Sequence, residues 1–223
     1  MFSLKKIFQK TKIIEKIGYN DANSTDSILF IHIPKNAGTA VSKALGFEST
    51  SHIKASEIKE EFGINIFEDK CSFAIVRNPI DRFLSLYNYA RMDISYYHNN
   101  IEPENSIYGK HLDYELLKNS SLLECAQYLQ KGMLKHDLHW NHWEPQYNWV
   151  YDVNSNQRLV KKIYNFENLQ ELAKDMDSMF NCKFELNEIN ISNKKEDNKV
   201  LDIETISIIK EYYKKDFELF DYK

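Results

Sequence analysis

Glycine and proline are scarce in this sequence, six and four among 223 residues, whereas tyrosine and phenylalanine number 14 and 13. Collagenous, linker-like and disordered chains show the opposite balance, so the composition describes a packed domain whose aromatic residues need a core. Cysteine is scarcer still: Cys71, Cys125 and Cys182 are odd in number and far apart. They form neither a disulfide framework nor a Cys-x-x-Cys metal knuckle, and they point to a reducing compartment. No apolar run approaches the roughly 18 residues a membrane helix requires. An excess of one charge is lacking too. The formal net charge is −4, so no basic field marks the chain for nucleic acid. The length fits one α/β domain of ordinary size with a sizeable core.

Met1–Ile17 carries Lys5, Lys6, Lys10, Lys12 and Lys16 among Phe2, Leu4, Ile7, Phe8, Ile13 and Ile14. It has no continuous apolar stretch and no small-residue cleavage site, which excludes a signal peptide. It reads as a lead-in or edge helix, the alternative being a basic amphipathic helix resting on an anionic membrane face. With the polar Asn20–Ser27 it makes 1–27 the lead-in to a single domain.

Two stretches carry chemistry. In Ile28–Leu45, ILFIHIPKNAGTAVSKAL, residues Ile28 to Ile33 are apolar except His32 and predict a buried strand. Pro34 ends it, since proline cannot donate to a sheet ladder. Lys35-Asn36-Ala37-Gly38-Thr39 then predicts a loop into a helix from Thr39/Ala40 to Leu45, closed by Gly46. Small residues at Ala37, Gly38 and Ala40 leave the backbone open to a close ligand. A loop entering a helix N-terminus aims several N–H groups and the helix dipole at one spot, which is an anion site with Lys35 at its lip. The nucleotide-triphosphate loop Gly-x-x-x-x-Gly-Lys-Ser/Thr is absent from the chain. In the second stretch, Ser72–Val76 predicts another buried parallel strand that runs into Arg77-Asn78-Pro79 and a helix. Asn78 is a good N-cap and Pro79 suits the first helical position. Ile80, Phe83, Leu84 and Tyr87 form its core face, and Ser85 falls off that stripe.

Together these stretches resemble the sulfotransferases that use 3′-phosphoadenosine 5′-phosphosulfate (PAPS), in particular the bacterial and glycan enzymes of the heparan and uronyl 2-O type. Lys35 to Ala40 resembles their 5′-phosphosulfate loop, and Arg77…Ser85 in V-R-N-P-I-D-R-F-L-S-L-Y resembles their 3′-phosphate motif. An arginine fork with a nearby hydroxyl suits a phosphate. The segment Tyr164-Asn165-Phe166-Glu167-Asn168-Leu169, Glu144-Pro145-Gln146 and the ending Tyr212-Tyr213-Lys214-Lys215-Asp216-Phe217-Glu218-Leu219-Phe220-Asp221-Tyr222 are similar to further family segments, so the likeness spans 28–222. It implies a three-layer α/β/α fold with a central, mainly parallel sheet of the P-loop nucleotide-hydrolase kind. It also implies PAPS as donor, with 3′-phosphoadenosine 5′-phosphate (PAP) as product. The chain departs from the commoner Lys-Thr-Gly-Gly-Thr-Ser at Asn36, Ala37 and Ala40. Backbone cradling survives those changes, while a hydroxyl contact at position 40 is lost.

Ser51-His52-Ile53 resembles the family segment with the catalytic histidine, so His52 is the expected base beside Lys35; His139, His142 and Glu57 are the alternatives. Between His136 and Tyr151 the chain is dense in histidine and aromatics. His139, His142 and Trp143, together with Gln146 of the Pro-Gln segment, are the expected acceptor contacts, core packing being the other reading for the aromatics. Histidines three residues apart lack carboxylate or thiolate help, so no metal site is expected. The resemblance implies a carbohydrate or other hydroxyl-bearing acceptor and a bacterial cytoplasmic enzyme, membrane-peripheral if the N-terminus touches lipid. The rival readings are a nucleotide-dependent kinase of similar fold and a non-catalytic PAPS- or PAP-binding module.

Overall fold

The computed structural model describes residues 28–47, 52–94, 109–134, 141–180 and 201–223. The lead-in 1–27, His139 and Cys182 lie outside the described residues. In chain order the elements are β1 (Ile28–Ile31), α1 (Gly38–Ala44), α2 (Ala55–Phe62), α3 (Ile66–Asp69), β2 (Cys71–Val76), α4 (Pro79–Ala90), α5 (Tyr114–Leu117), α6 (Leu122–Gln130), α7 (Tyr147–Val150), β3 (Tyr151–Asp152), β4 (Gln157–Arg158), β5 (Lys162–Asn165), a 3-10 turn (Phe166–Asn168), α8 (Leu169–Phe180), α9 (Ile203–Tyr212) and α10 (Lys214–Leu219). Two compact units result: Met1–Val76 with Asn148–Ser192, and Arg77–Tyr147 with Asn193–Lys223.

The first unit is α/β. Its three-stranded sheet has the order β1-β2-β5, and both pairings are parallel. Continuous apolar runs in β1 and β2 have the composition parallel strands need when both faces are covered. On one face Ile28, Phe30, Phe73, Ile75 and Tyr164 pack with Val41 of α1 and Leu169, Leu172 and Met176 of α8. On the other, Leu29, Ile31, Ala74 and Val76 are buried as well. Buried Ser72 fastens the start of β2: its hydroxyl donates to Phe67 O at 3.0 Å and accepts from Lys161 N at 3.0 Å. The third strand is short, because Leu159 and Val160 follow the antiparallel pair β3–β4 before the sheet is joined at Lys162.

The second unit is helical. Phe83, Leu86, Tyr87 and Ala90 of α4 pack against Cys125, Ala126 and Leu129 of α6, Ile209 of α9, and Trp143. Asn78 caps α4 as expected, accepting from Ile80 N at 2.9 Å, and Pro79 opens the helix. Ser121 and Glu124 form a capping box at the start of α6. The C-terminal stretch forms two helices, α9 and α10, with the break at Tyr213. No helix among the described residues is long and apolar enough to cross a membrane.

Candidate active site

Lys35 to Ala40 lies in the first unit, between β1 and α1. The loop is shaped by backbone torsion: Lys35 and Ala37 adopt φ of 68° and 62°, and Asn36 between them does not share the positive sign. Left-handed torsion costs a residue with a Cβ roughly 1–2 kcal/mol, and such strain persists where surrounding structure enforces it. Left-handed residues beside ones of ordinary φ are the pattern from which anion-binding nests are built. Asn36 supplies the enforcement. Its side chain is buried and Nδ2 donates to Ile75 O at 2.8 Å, tying the loop to β2.

Gly38 opens α1 with Ala37 as N-cap, and the first turn carries no acidic residue. Ala40 N–H is already bonded to Ala37 O at 3.0 Å. The amides of Gly38 and Thr39, which have no intrahelical acceptor, are therefore the ones suited to an anion. Glycine at 38 has a second cause that sequence reading missed. A Cβ built there would lie 1.7 Å from Nε2 of His32. The imidazole of His32 covers the Cα of Gly38, so the small residue makes room for that ring and not only for a ligand.

His32 also reaches His52. The two ring centroids are 4.2 Å apart, and His52 Nδ1 lies 3.0 Å from His32 O. A carbonyl oxygen only accepts, so Nδ1 carries the hydrogen and neutral His52 keeps its lone pair on Nε2. The ring stands edge-on to buried Trp149 at 6.2 Å between centroids, and Lys54 Nζ lies 5.7 Å from the Trp149 centroid. Thus the structure joins the expected base to the expected anion loop through a residue not expected to matter. The available signal was a lone histidine in an otherwise apolar strand. Glu57 is exposed and accepts from Lys54 N at 2.9 Å, a capping role at the start of α2.

Arg77 and Ser85 belong to the second unit, both half-buried, with Ser85 in the second turn of α4. The acceptor contacts expected in the aromatic segment have other employment here. Trp143 is fully buried, packs on Phe83, and donates through Nε1 to Asp113 at 2.9 Å. His142 is buried, and its carbonyl accepts from Arg82 at 2.7 Å. Gln146 is fully buried; its Oε1 accepts from Arg77 N at 2.9 Å and its Nε2 donates to Arg77 O at 2.8 Å. Trp143 and Gln146 thus each have side-chain partners within the second unit. Arg82, which nothing in the sequence marked, is buried and donates also to Glu144 O at 2.9 Å. Burial lowers its pKa, with Tyr213 and Asp216 opposing. No cluster of His, Cys, Asp and Glu among the described residues could hold a metal ion.

A family model described as "Sulfotransferase family" matches residues 21–223. No curated protein and no solved structure matches the chain.

Proposed function

The chain belongs to the sulfotransferase family, and on that footing we propose that it transfers the sulfuryl group of PAPS to a carbohydrate hydroxyl, with His52 as general base. The observation that carries this reading is the family match, which includes both anion motifs. The nest at Lys35–Ala37 and a first turn of α1 without carboxylates support the donor assignment, because both favour a negatively charged guest. PAPS, when bound, supplies a sulfuryl group joined to a phosphate leaving group.

This chain's own residues then divide the work. Lys35, Asn36, Ala37, Gly38, Thr39 and Ala40 would hold the 5′ end, Lys35 by its charge, Gly38 and Thr39 by their amides, and Thr39 also by its hydroxyl. Arg77 and Ser85 would hold the 3′-phosphate. His52 Nε2 would take the acceptor proton, while the Nδ1–H bond to His32 O steadies the imidazolium that forms. The segment Tyr164–Leu169, similar to one of the bacterial and glycan enzymes but with Asn165 where arginine is usual there, supports a glycan acceptor. The cysteine usage supports a cytoplasmic setting, and the lysine-rich 1–17 a peripheral membrane contact.

The test is thermal stabilisation by PAP against AMP, ADP and ATP. Selective stabilisation by PAP is expected from linkage; an equal response to all four would remove the Arg77 and Ser85 assignment. In a labelled-sulfate assay, His52→Ala should abolish turnover and keep PAP binding. Retained turnover would move the base elsewhere.

A further inference from the structure

Arg77 sits at the end of a chain of buried hydrogen bonds that reaches the C-terminal helices within the same unit. Gln146 holds both backbone polar groups of Arg77, as a paired strand residue would. Because one of those groups donates and the other accepts, only one orientation of the Gln146 carboxamide fits. Gln146 is itself held: Asp216 accepts from Gln146 N at 2.7 Å and from Tyr147 N at 2.9 Å. One helical turn before Asp216, Tyr213 donates its hydroxyl to Trp143 O at 2.8 Å. From the other side Arg82 binds the carbonyls of His142 and Glu144. Gln146, Asp216, Tyr213 and Arg82 are all at most 1% exposed.

We propose that Asp216 and Gln146 are positioning residues for Arg77, fixing its main chain so that its guanidinium meets the 3′-phosphate of the donor. The proposal rests on the reading of Arg77 as the 3′-phosphate ligand. It gives the Pro-Gln segment and the C-terminal Tyr-x-x-Asp a shared role, in which the C-terminal helices brace segment 143–147 and that segment braces Arg77. The specificity of the site for a 3′-phosphorylated nucleotide then depends on residues that never contact it.

Calorimetric titration of the full chain with PAP and with AMP tests this. Gln146→Met keeps side-chain length but removes both bonds to Arg77. Asp216→Asn turns one acceptor into a donor facing a backbone N–H. Each should weaken PAP about tenfold, the loss of a hydrogen bond or so, and leave AMP within about twofold. Arg77→Ala, run in parallel, should lower the PAP-to-AMP ratio further. If Arg77→Ala leaves the ratio unchanged, the phosphate reading of Arg77 is wrong and the proposal goes with it. If Arg77→Ala lowers the ratio while the other two variants keep it, the relay alone is wrong. Should those variants fail to fold, hydrogen exchange on the unaltered protein decides. The Arg77 amide should exchange slowly and be slowed further by PAP but not by AMP; exchange at the rate of an unprotected amide, or equal slowing by both nucleotides, overturns the proposal.

Discussion

The loop at Lys35 and the backbone of Arg77 are both held in place, by different means. The first is a matter of torsion angles, with φ of 68° at Lys35 and 62° at Ala37 and one buried side-chain bond from Asn36. The second is a matter of side chains, with Gln146 on the Arg77 backbone and Asp216 on Gln146. A loop that works through main-chain donors tolerates changes of side chain as long as its torsions are kept. A site braced by buried polar side chains tolerates little, because removing one partner leaves another buried group unsatisfied.

The sharpest break in that comparison is Lys35→Ala. It keeps the left-handed torsion demand but removes the charge, so single-turnover sulfuryl transfer should fall by roughly 10²–10³. A loss below tenfold would mean that the loop works by its amides alone.

Next comes the buried carboxylate of the second unit. Burial raises the Asp216 pKa from 3.8 to about 6, against the opposing pull of the Gln146 and Tyr147 amides and of Arg82. A carboxyl with a raised folded pKa binds its proton more tightly folded than unfolded. Its ionisation therefore works against folding as pH climbs from 3.8 to about 6, and the effect levels off above. At about 1.36 kcal/mol per pH unit the span amounts to roughly 3 kcal/mol. Denaturant titrations of the unaltered protein and Asp216→Asn, compared between about pH 4 and 7, should show a difference of this sign. A flat difference would show that Asp216 keeps its ordinary pKa.

Gly38→Ala probes the first unit with a smaller expected cost. The new Cβ collides with His32, which should destabilise the fold by about 1–3 kcal/mol. In a His32→Ala background most of that penalty should vanish. Equal penalties in the two backgrounds would mean that torsion or helix geometry, and not the ring, demands glycine. The smallest effect is expected from Asn36→Ala, which removes the bond to Ile75 O and should cost about 1 kcal/mol, read as a shift in the denaturation midpoint.

Local signals predicted much of the architecture correctly. The apolar run of β2 and the Asn78-Pro79 start of α4 depend on residues within a few positions, and each element forms where those signals put it, whereas β1 stops at Ile31, short of the Ile33 its apolar run reached. The short helices α3, α5 and α7 were missed because a single turn has no period to read. The aromatic segment shows the other failing. Composition cannot say which way a side chain points, so it could not show that Trp143 and Gln146, expected as acceptor contacts, also have partners in the second unit's own interior.

By itself the sequence determined the buried strands β1 and β2, the helices that follow them, and so the two places where a loop enters a helix behind a buried strand. These follow from hydrophobic period, proline and asparagine chemistry, all of short range along the chain. Tertiary structure alone decided that His32 stands between Gly38 and His52, that the C-terminal helix breaks at Tyr213 where no glycine or proline interrupts it, and that Asp216 reaches segment 143–147. The contacts of His32 with His52 and of Asp216 with segment 143–147 join residues 20 or more apart in sequence, and such pairings have no signature in a local window.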